Sequence, residues 1–440
     1  MAANRRLLLL TALFVVSSHN VFAASRTATS CNAADVQAAI TAAASGDTVV
    51  VPSGTCTWTT GVSIKGKAIR LEGASKGSVT ILDSVPDGTY MVDITESTAG
   101  HIEVMNLTFD SRGASHGSGW PTFHVSITGA AGGQAVLIHD NMHLFATGGG
   151  VNAYHSSVNR GVIYQNTITA QMPGQATGWR NTFSAIRCKN SADQGGWESP
   201  STMGTLDTTG EKNLYFEDNT VRMLHEGTDF DDACRIVFRH NTLDNTSVQS
   251  HGWDSSPLGS RQVEVYGNTF LFGETDSSGI QVNIGQLIHL RGGGVWVIHN
   301  NIIPDANTGS NWGNPAEMNI QLYGLRSNIC YNGSYPMPRQ HGLGHNGSSY
   351  ISEPIYIWGN MQPGGGLATP NPAVSDIGDQ CGNNRFTSEF VKLNRDYFLS
   401  AKPGYTPYPY PHPLRSGTQS GSGSSGSQLP APPTNVRIVG

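Results

Sequence analysis

The chain has 440 residues, 26 basic and 32 acidic, for a formal net charge of −6. Only 13% of its residues are charged, about half the usual share, and its 53 glycines exceed the ~7% typical of soluble domains. This balance excludes a coiled coil, a helical bundle and a charged disordered chain, and it leaves no electrostatic footprint for nucleic acid.

The N-terminus reads as an export signal. Arg5 and Arg6 precede an apolar run from Leu7 to Val16, too short to span a bilayer, and small residues follow up to Ala23. Residues 1–23 are therefore set aside as a signal peptide, and no other stretch has transmembrane length. The expected product is a secreted protein, periplasmic or extracellular, without a membrane span and monomeric. After Cys31, the run ADVQAAITAAASGD places Ala and Ile at helical spacing with Gly46 as a stop. TVVVPSGTCTW then reads as a first strand and turn, so a short helix is expected to cap the first strands.

The middle of the chain repeats. Six segments align on Asn141, Asn166, Asn219, Asn241, Asn268 and Asn301, at spacings of 25, 53, 22, 27 and 33 residues. Three residues before each Asn stands Ile138, Ile163, Phe216, Phe238, Val265 or Ile298. Two residues after stands Ile168, Val221, Leu243, Phe270 or Ile303, with His143 the one exception. Weaker copies surround Asn328 and Asn360. Alternating apolar residues over five positions mean strand, and a strand recurring every ~20–30 residues means a solenoid. The 53-residue gap is two turns, or one turn with an insertion. Stacked coils bring the asparagines one above another at ~4.8 Å, where their amides can bond in a ladder. His240 and His299 lie just before ladder asparagines and read as structural.

The far end reads as a stop. Pro403 to Pro413 is rich in Pro and Tyr and cannot continue a sheet. Residues 416–440 begin with a Ser/Gly-rich linker and read as a flexible tail, which leaves 24–415 as one domain. The six cysteines, Cys31, Cys56, Cys188, Cys234, Cys330 and Cys381, suit three disulfides in an exported chain, with fifteen pairings possible. Sequential pairing is preferred because each bridge then staples neighbouring turns.

The opening Asp35-Val36-Gln37-Ala38-Ala39-Ile40, then Gly46-Asp47-Thr48-Val49-Val50-Val51-Pro52 and Gly54-Thr55, resembles the start of exported pectin-lyase-like right-handed parallel β-helix proteins, and the Asn repeats resemble their coils. The likeness covers roughly residues 31–412. It implies an all-β, right-handed parallel β-helix with a short N-terminal capping helix. That superfamily holds polysaccharide lyases, glycoside hydrolases, adhesins and phage tailspikes, so the fold does not choose the reaction.

Polar residues on the outer face of adjoining coils are the place to look for chemistry. Residues 226–293 are densest in them, with Asp229, Asp231, Asp232, His251, Asp254, Arg261 and Arg291, and Trp253 to stack on a sugar. Two reactions fit. A lyase acting on a uronic-acid polymer needs a base for the proton α to the carboxylate and cations for the enolate-like intermediate. Related lyases often use Lys or Arg as base, frequently with calcium. Between Lys76 and Lys392 the only lysines are Lys189 and Lys212, so His251 is the expected base, with Arg261 and Arg291 as carboxylate clamps. Trp253, Asp254, Asp231 and Asp232 are the expected substrate contacts. Asp229, Asp231 and Asp232 are the candidate set for a calcium ion, and no other cofactor is called for. The alternative is a hydrolase: Asp231-Asp232 followed by His251-Gly252 resembles the polygalacturonase arrangement, without its upstream Asn-Thr-Asp or its Arg-Ile-Lys. A third reading is a non-catalytic β-helix that binds carbohydrate. In each case the partner is an extracellular polysaccharide.

Overall fold

A computed structural model describes residues 24–95, 100–114, 116, 122–129, 136–145, 151–156, 161–170, 184–189, 206–222, 224, 227–231, 233–250, 259–271, 286–291, 293–304, 316–325, 330–346, 348–368, 373–374, 381–382 and 385–416. Nearly every strand pairs in parallel with the strands one coil before and one coil after it. The chain winds through three faces per coil. The first sheet has twelve strands among the described residues, the second has eight, and the third is a six-strand and a four-strand stretch joined at the Phe230–Ser250 bridge. This is the solenoid expected from the repeats, in the right-handed parallel β-helix form that the resemblance implies. Helix α1 (Ala33–Ala42) buries Val36 and Ile40 against the first coils. Among the described residues, no helix is long and apolar enough to cross a membrane.

Register explains the repeat. Leu71, Val104, Ile138, Ile163, Phe216, Phe238, Val265, Ile298 and Ile357 form one inward column of the first sheet. A second column, Ile81, Phe109, His143, Ile168, Val221, Leu243 and Phe270, faces inward from the second sheet. All of these are fully buried or nearly so. Each large apolar side chain so placed contributes about 1.5–3 kcal/mol of burial.

The asparagines stand at the corner between these columns. The residue before each takes a left-handed conformation: Asp140, Gln165, Asp218, His240, Gly267, Asn300 and Gly359 have φ between 53° and 66°. That kink turns the chain and aims the next amide inward. Each ladder Asn accepts the backbone N–H of the previous rung at its Oδ1, as in Asn166 N–Asn219 Oδ1 (2.9 Å) and Asn219 N–Asn241 Oδ1 (2.9 Å). Its Nδ2 donates to a carbonyl of the preceding coil. The ladder extends through Asn360, and Leu107 N–H caps its start on Asn141. Asn328 lies outside the described residues. The 53-residue gap is one coil with an insertion, because strand Val162–Tyr164 pairs directly with Leu214–Glu217.

The three disulfides are Cys31–Cys56, Cys188–Cys234 and Cys330–Cys381, the sequential pairing. The Pro/Tyr-rich segment does more than stop the sheet. Residues 402–416 run as a strap over the outer face of the first sheet. The fully buried Arg239 donates to Glu217 Oε2 (2.7 Å), to Tyr266 Oη (2.8 Å) and to the strap carbonyls of Tyr408 (2.9 Å) and Pro409 (2.8 Å). Tyr405 donates to Glu264 (2.7 Å), Tyr410 donates to Asp218 (2.6 Å), and Arg415 pairs with Glu217 (2.8 Å) and Asp218. His240 stacks on Tyr410, and His299 lies between Tyr266 and Trp358, so both serve structure. The tail 417–440 lies outside the described residues.

Candidate functional site

The outer face of the third sheet gathers the chemistry. Strands Ile186–Cys188, Thr228–Phe230, Val248–Gln249, Gln286–Leu290 and Ala316–Ile320 follow one another along the axis. Ile186, Cys188, Phe230, Ile288, Leu290, Met318 and Ile320 point into the core, so alternate residues must point outward. Pairing places Arg187, Asp229, Gln249, His289 and Asn319 in one outward column. The next outward residue of each coil is Lys189, Asp231, Arg291 or Gln321. Backbone bonds Lys189 N–Ser156 O (2.7 Å), Asp231 N–Cys188 O (3.1 Å) and Gln321 N–Leu290 O (2.7 Å) keep that second position in step.

Charges on this face are paired across coils. Arg187 Nε is 3.1 Å from Asp229 Oδ2, and its NH2 reaches Asp231 Oδ2 at 3.3 Å. Lys189 Nζ is 3.2 Å from Asp231 Oδ1. Asp229 and Asp231 are nearly buried, whereas Arg187 and Lys189 keep about a fifth of their side chains in solvent. The acids thus sit beneath the cations and hold them up. His289 Nε2 lies 2.8 Å from Gln321 Oε1, which can only accept. The bond therefore places a proton on Nε2. Arg291 is half-buried at the end of its strand, its backbone N–H on Ser250 Oγ (3.2 Å).

These positions revise several expectations. Asp229 and Asp231 share one coil of this face, and Arg291 stands two coils further along it. Arg261 does not act as an open clamp. It is buried at the corner leading into the first sheet, and its two-pronged bond closes on Glu353 at 2.7 and 3.1 Å. Asp231 pairs with Arg187 and Lys189. A calcium ion at the expected set would share Asp229 and Asp231 with Arg187 and Lys189. Among the described residues, no group of three or more His, Cys, Asp or Glu could hold a metal. His251, Trp253, Asp254 and Asp232 lie outside the described residues. Arg187, Lys189, Gln249, His289, Asn319 and Gln321 join the face unforeseen. The signal for Arg187 and Lys189 was present: they alternate with Ile186 and Cys188 as Asp229 and Asp231 alternate with Thr228 and Phe230.

A groove of about 390 Å³, lined by Tyr215, Pro409, His412 and Leu414, lies between the strap and the first sheet, against a different sheet from this face.

No family model and no curated protein matches the chain. Among solved structures, it is similar to an alginate lyase from Paenibacillus sp. strain FPU-7, at 14% identity and TM-score 0.35, over 63% of this chain and 94% of that one. It is similar to a PL6-family polysaccharide lyase from Pseudopedobacter saltans, at 12% identity and TM-score 0.41, over 86% and 94%. It is also similar to the A-module of a mannuronan C-5 epimerase from Azotobacter vinelandii, at 17% identity and TM-score 0.26, over 61% and 84%. Likeness at this level is one of architecture.

Proposed function

We propose that the protein is a polysaccharide lyase that cleaves an uronic-acid polymer by β-elimination on the outer face of the third sheet. The observation that carries this reading is the alignment of Arg187, Lys189 and Arg291 on one outward face of a chain with few charges. A uronate offers one carboxylate per sugar, and elimination builds negative charge at that carboxylate. Arg291 neutralises it, and Arg187 and Lys189, three coils away along the same face at ~4.8 Å per coil, meet the carboxylate of another sugar. Asp229 and Asp231, bonded from below, hold Arg187 and Lys189 in place. The base is His251, the residue after Ser250 in the chain. It takes the proton at C5, the electron pair closes a C4–C5 double bond, and the C4–O bond breaks with a proton delivered to the leaving oxygen. The ion pair with Asp231 suits Lys189 to charge stabilisation and leaves proton abstraction to histidine.

The hydrolase alternative loses ground on one observation. Asp231, between Arg187 and Lys189, is a poor general acid because both cations favour its charged form.

The test incubates the mature protein with a panel of uronic-acid polymers and follows ultraviolet absorbance of the new double bond. Activity should fall at least tenfold in Arg291→Lys, because an ammonium cannot make the two-pronged carboxylate bond, and vanish in His251→Ala. A pH–rate limb near ~6.5 would mark the histidine base, against ~10 for lysine. Saturated reducing ends without absorbance would establish a hydrolase. Binding without any product would establish a carbohydrate-binding β-helix.

A further inference from the structure

The repeat has one flaw: His143 occupies an inward position that its neighbours Phe109 and Ile168 fill with apolar side chains. It is completely buried, and so is His124 from the third sheet. The two rings stack near Phe109 and Phe145, and their Nδ1 atoms lie 2.8 Å apart. His143 Nε2 meets Tyr154 Oη at 2.6 Å, and His124 Nε2 meets Ser111 Oγ at 2.6 Å. Ser111 Oγ in turn lies 2.6 Å from Asp83 Oδ2.

Proton positions follow from the carboxylate end. Hydrogen bonds from His116 (2.9 Å) and Ser111 outweigh the burial of Asp83 and hold its carboxyl below the usual range. An ionised Asp83 only accepts, so the single Ser111 proton points at it. Ser111 Oγ must then accept from His124 Nε2–H. A neutral His124 has its lone pair on Nδ1, so His143 must donate from Nδ1–H. A neutral His143 then accepts at Nε2 from the Tyr154 hydroxyl. The other charged groups around this line are His116 and Asp87, bonded to each other at 2.9 Å, and Asp110 with its partner Arg112.

We propose that Tyr154, His143, His124, Ser111 and Asp83 form a one-way hydrogen-bond chain inside the N-terminal coils, which locks the two imidazoles in opposite tautomers and opens those coils reversibly in acid. A second proton on His124 would go to Nδ1 and set N–H against N–H across 2.8 Å, and one on His143 would go to Nε2 and set N–H against the Tyr154 hydroxyl proton, so the chain as drawn holds only the neutral pair. Burial pushes His124 down to about 4 and His143 well below its ordinary value, so neither ring protonates at neutral pH.

The test is nitrogen-15 NMR of the mature protein labelled at histidine, followed by near-ultraviolet circular dichroism across an acid titration. The expected result is a proton on Nδ1 of His143 and on Nε2 of His124, with neither ring titrating between pH 8 and 5. The tyrosine signal should then be lost reversibly with a midpoint near pH 4. In His143→Gln the amide oxygen can accept from Tyr154 and the amide nitrogen can donate to His124, so the chain survives with one titrating group fewer. Its acid midpoint should move down. Nε2 protonation on both rings, or titration of either near 6.5, overturns the proposal even if the variant fails to fold. So does an unchanged midpoint in a folded His143→Gln.

Discussion

Removing one rung from the middle of the Asn ladder should cost several kcal/mol and should do so from one side. Asn219 Oδ1 accepts from Asn166 N (2.9 Å) and Asn166 Nδ2 (3.0 Å), and its Nδ2 donates to Ile163 O (2.9 Å), Glu217 O (3.1 Å) and Asn241 Oδ1 (3.2 Å). Leucine nearly matches the side chain in shape and removes all five bonds. Asn166 Nδ2 keeps the carbonyls of Ile138 and Tyr164, and Asn241 Oδ1 keeps Asn219 N–H. The group stranded is the Asn166 backbone N–H. A buried orphan costs about 1–3 kcal/mol, and the other lost bonds add about 1 kcal/mol each where no partner replaces them, so Asn219→Leu should destabilise by about 3–5 kcal/mol. Thr220→Val, one residue on and facing outward, should stay within about 0.5 kcal/mol. Urea unfolding gives both numbers, and hydrogen exchange locates the damage: protection at the Asn166 amide should collapse before that at Asn268. A cost below about 1 kcal/mol for Asn219→Leu, or equal loss of protection at both amides, would refute the view that the amides hold the corner together.

Arg239→Met should cost about 3–5 kcal/mol, because it leaves Glu217 with one cation fewer and strips two carbonyls of the strap of their donor; limited proteolysis within 403–416, slow in the wild type, should become fast. Serine at Cys188 and Cys234 should cost about 4 kcal/mol by loop entropy for a separation of 46 residues, and peptide mapping without reductant should recover the three sequential pairs. The buried His124 also sets a pH dependence of stability. Its folded pKa lies at about 4 against 6.5 unfolded, so below 6.5 the unfolded chain binds the proton first. Stability is whole above 6.5 and falls toward pH 4 by about 3 kcal/mol, visible as a lower urea midpoint at pH 4.5 than at pH 7.5.

The coil and its ladder were legible because they rest on local pattern: a strand of period two, a fixed Asn and a fixed apolar offset. The outward face was only half legible. Asp229 and Asp231 stood out as a cluster, but Arg187 and Lys189 lie more than forty residues upstream of them, and only the coil length brings them alongside. That length includes an insertion whose size no local rule supplies. Arg261 misled for a related reason. Its partner Glu353 is 92 residues away, and nothing in the sequence near either residue announces the pair. The strap was legible as a sheet terminator, since proline cannot donate to a ladder, but not as a cover. Its carbonyls and tyrosine hydroxyls find Arg239, Glu264 and Asp218 through contacts 141 to 192 residues apart in the chain.

The three corners of the coil are not equivalent, and the difference separates structure from chemistry. Between the first and second sheets the connection never varies over six successive coils: Met105 to Thr108, His139 to Met142, Tyr164 to Thr167, Glu217 to Thr220, Arg239 to Thr242 and Tyr266 to Thr269. One left-handed residue fills it each time, followed by a ladder Asn in five coils and by Leu107, whose N–H caps the ladder, in the first, because any longer turn would lift an amide out of the ladder and strand its neighbour's N–H. Between the third and first sheets the connection runs from Phe230 to Arg235 in one coil and from Cys188 to Leu214 in another. Among the described residues no inward ladder ties that corner, so its length can change without moving the registers on either side. Arg187, Lys189, Asp229, Asp231 and Arg291 stand beside this free corner. The coil can therefore lengthen the loops that frame an outer polar face while the inner column of Phe216, Phe238 and Val265 stays where it is.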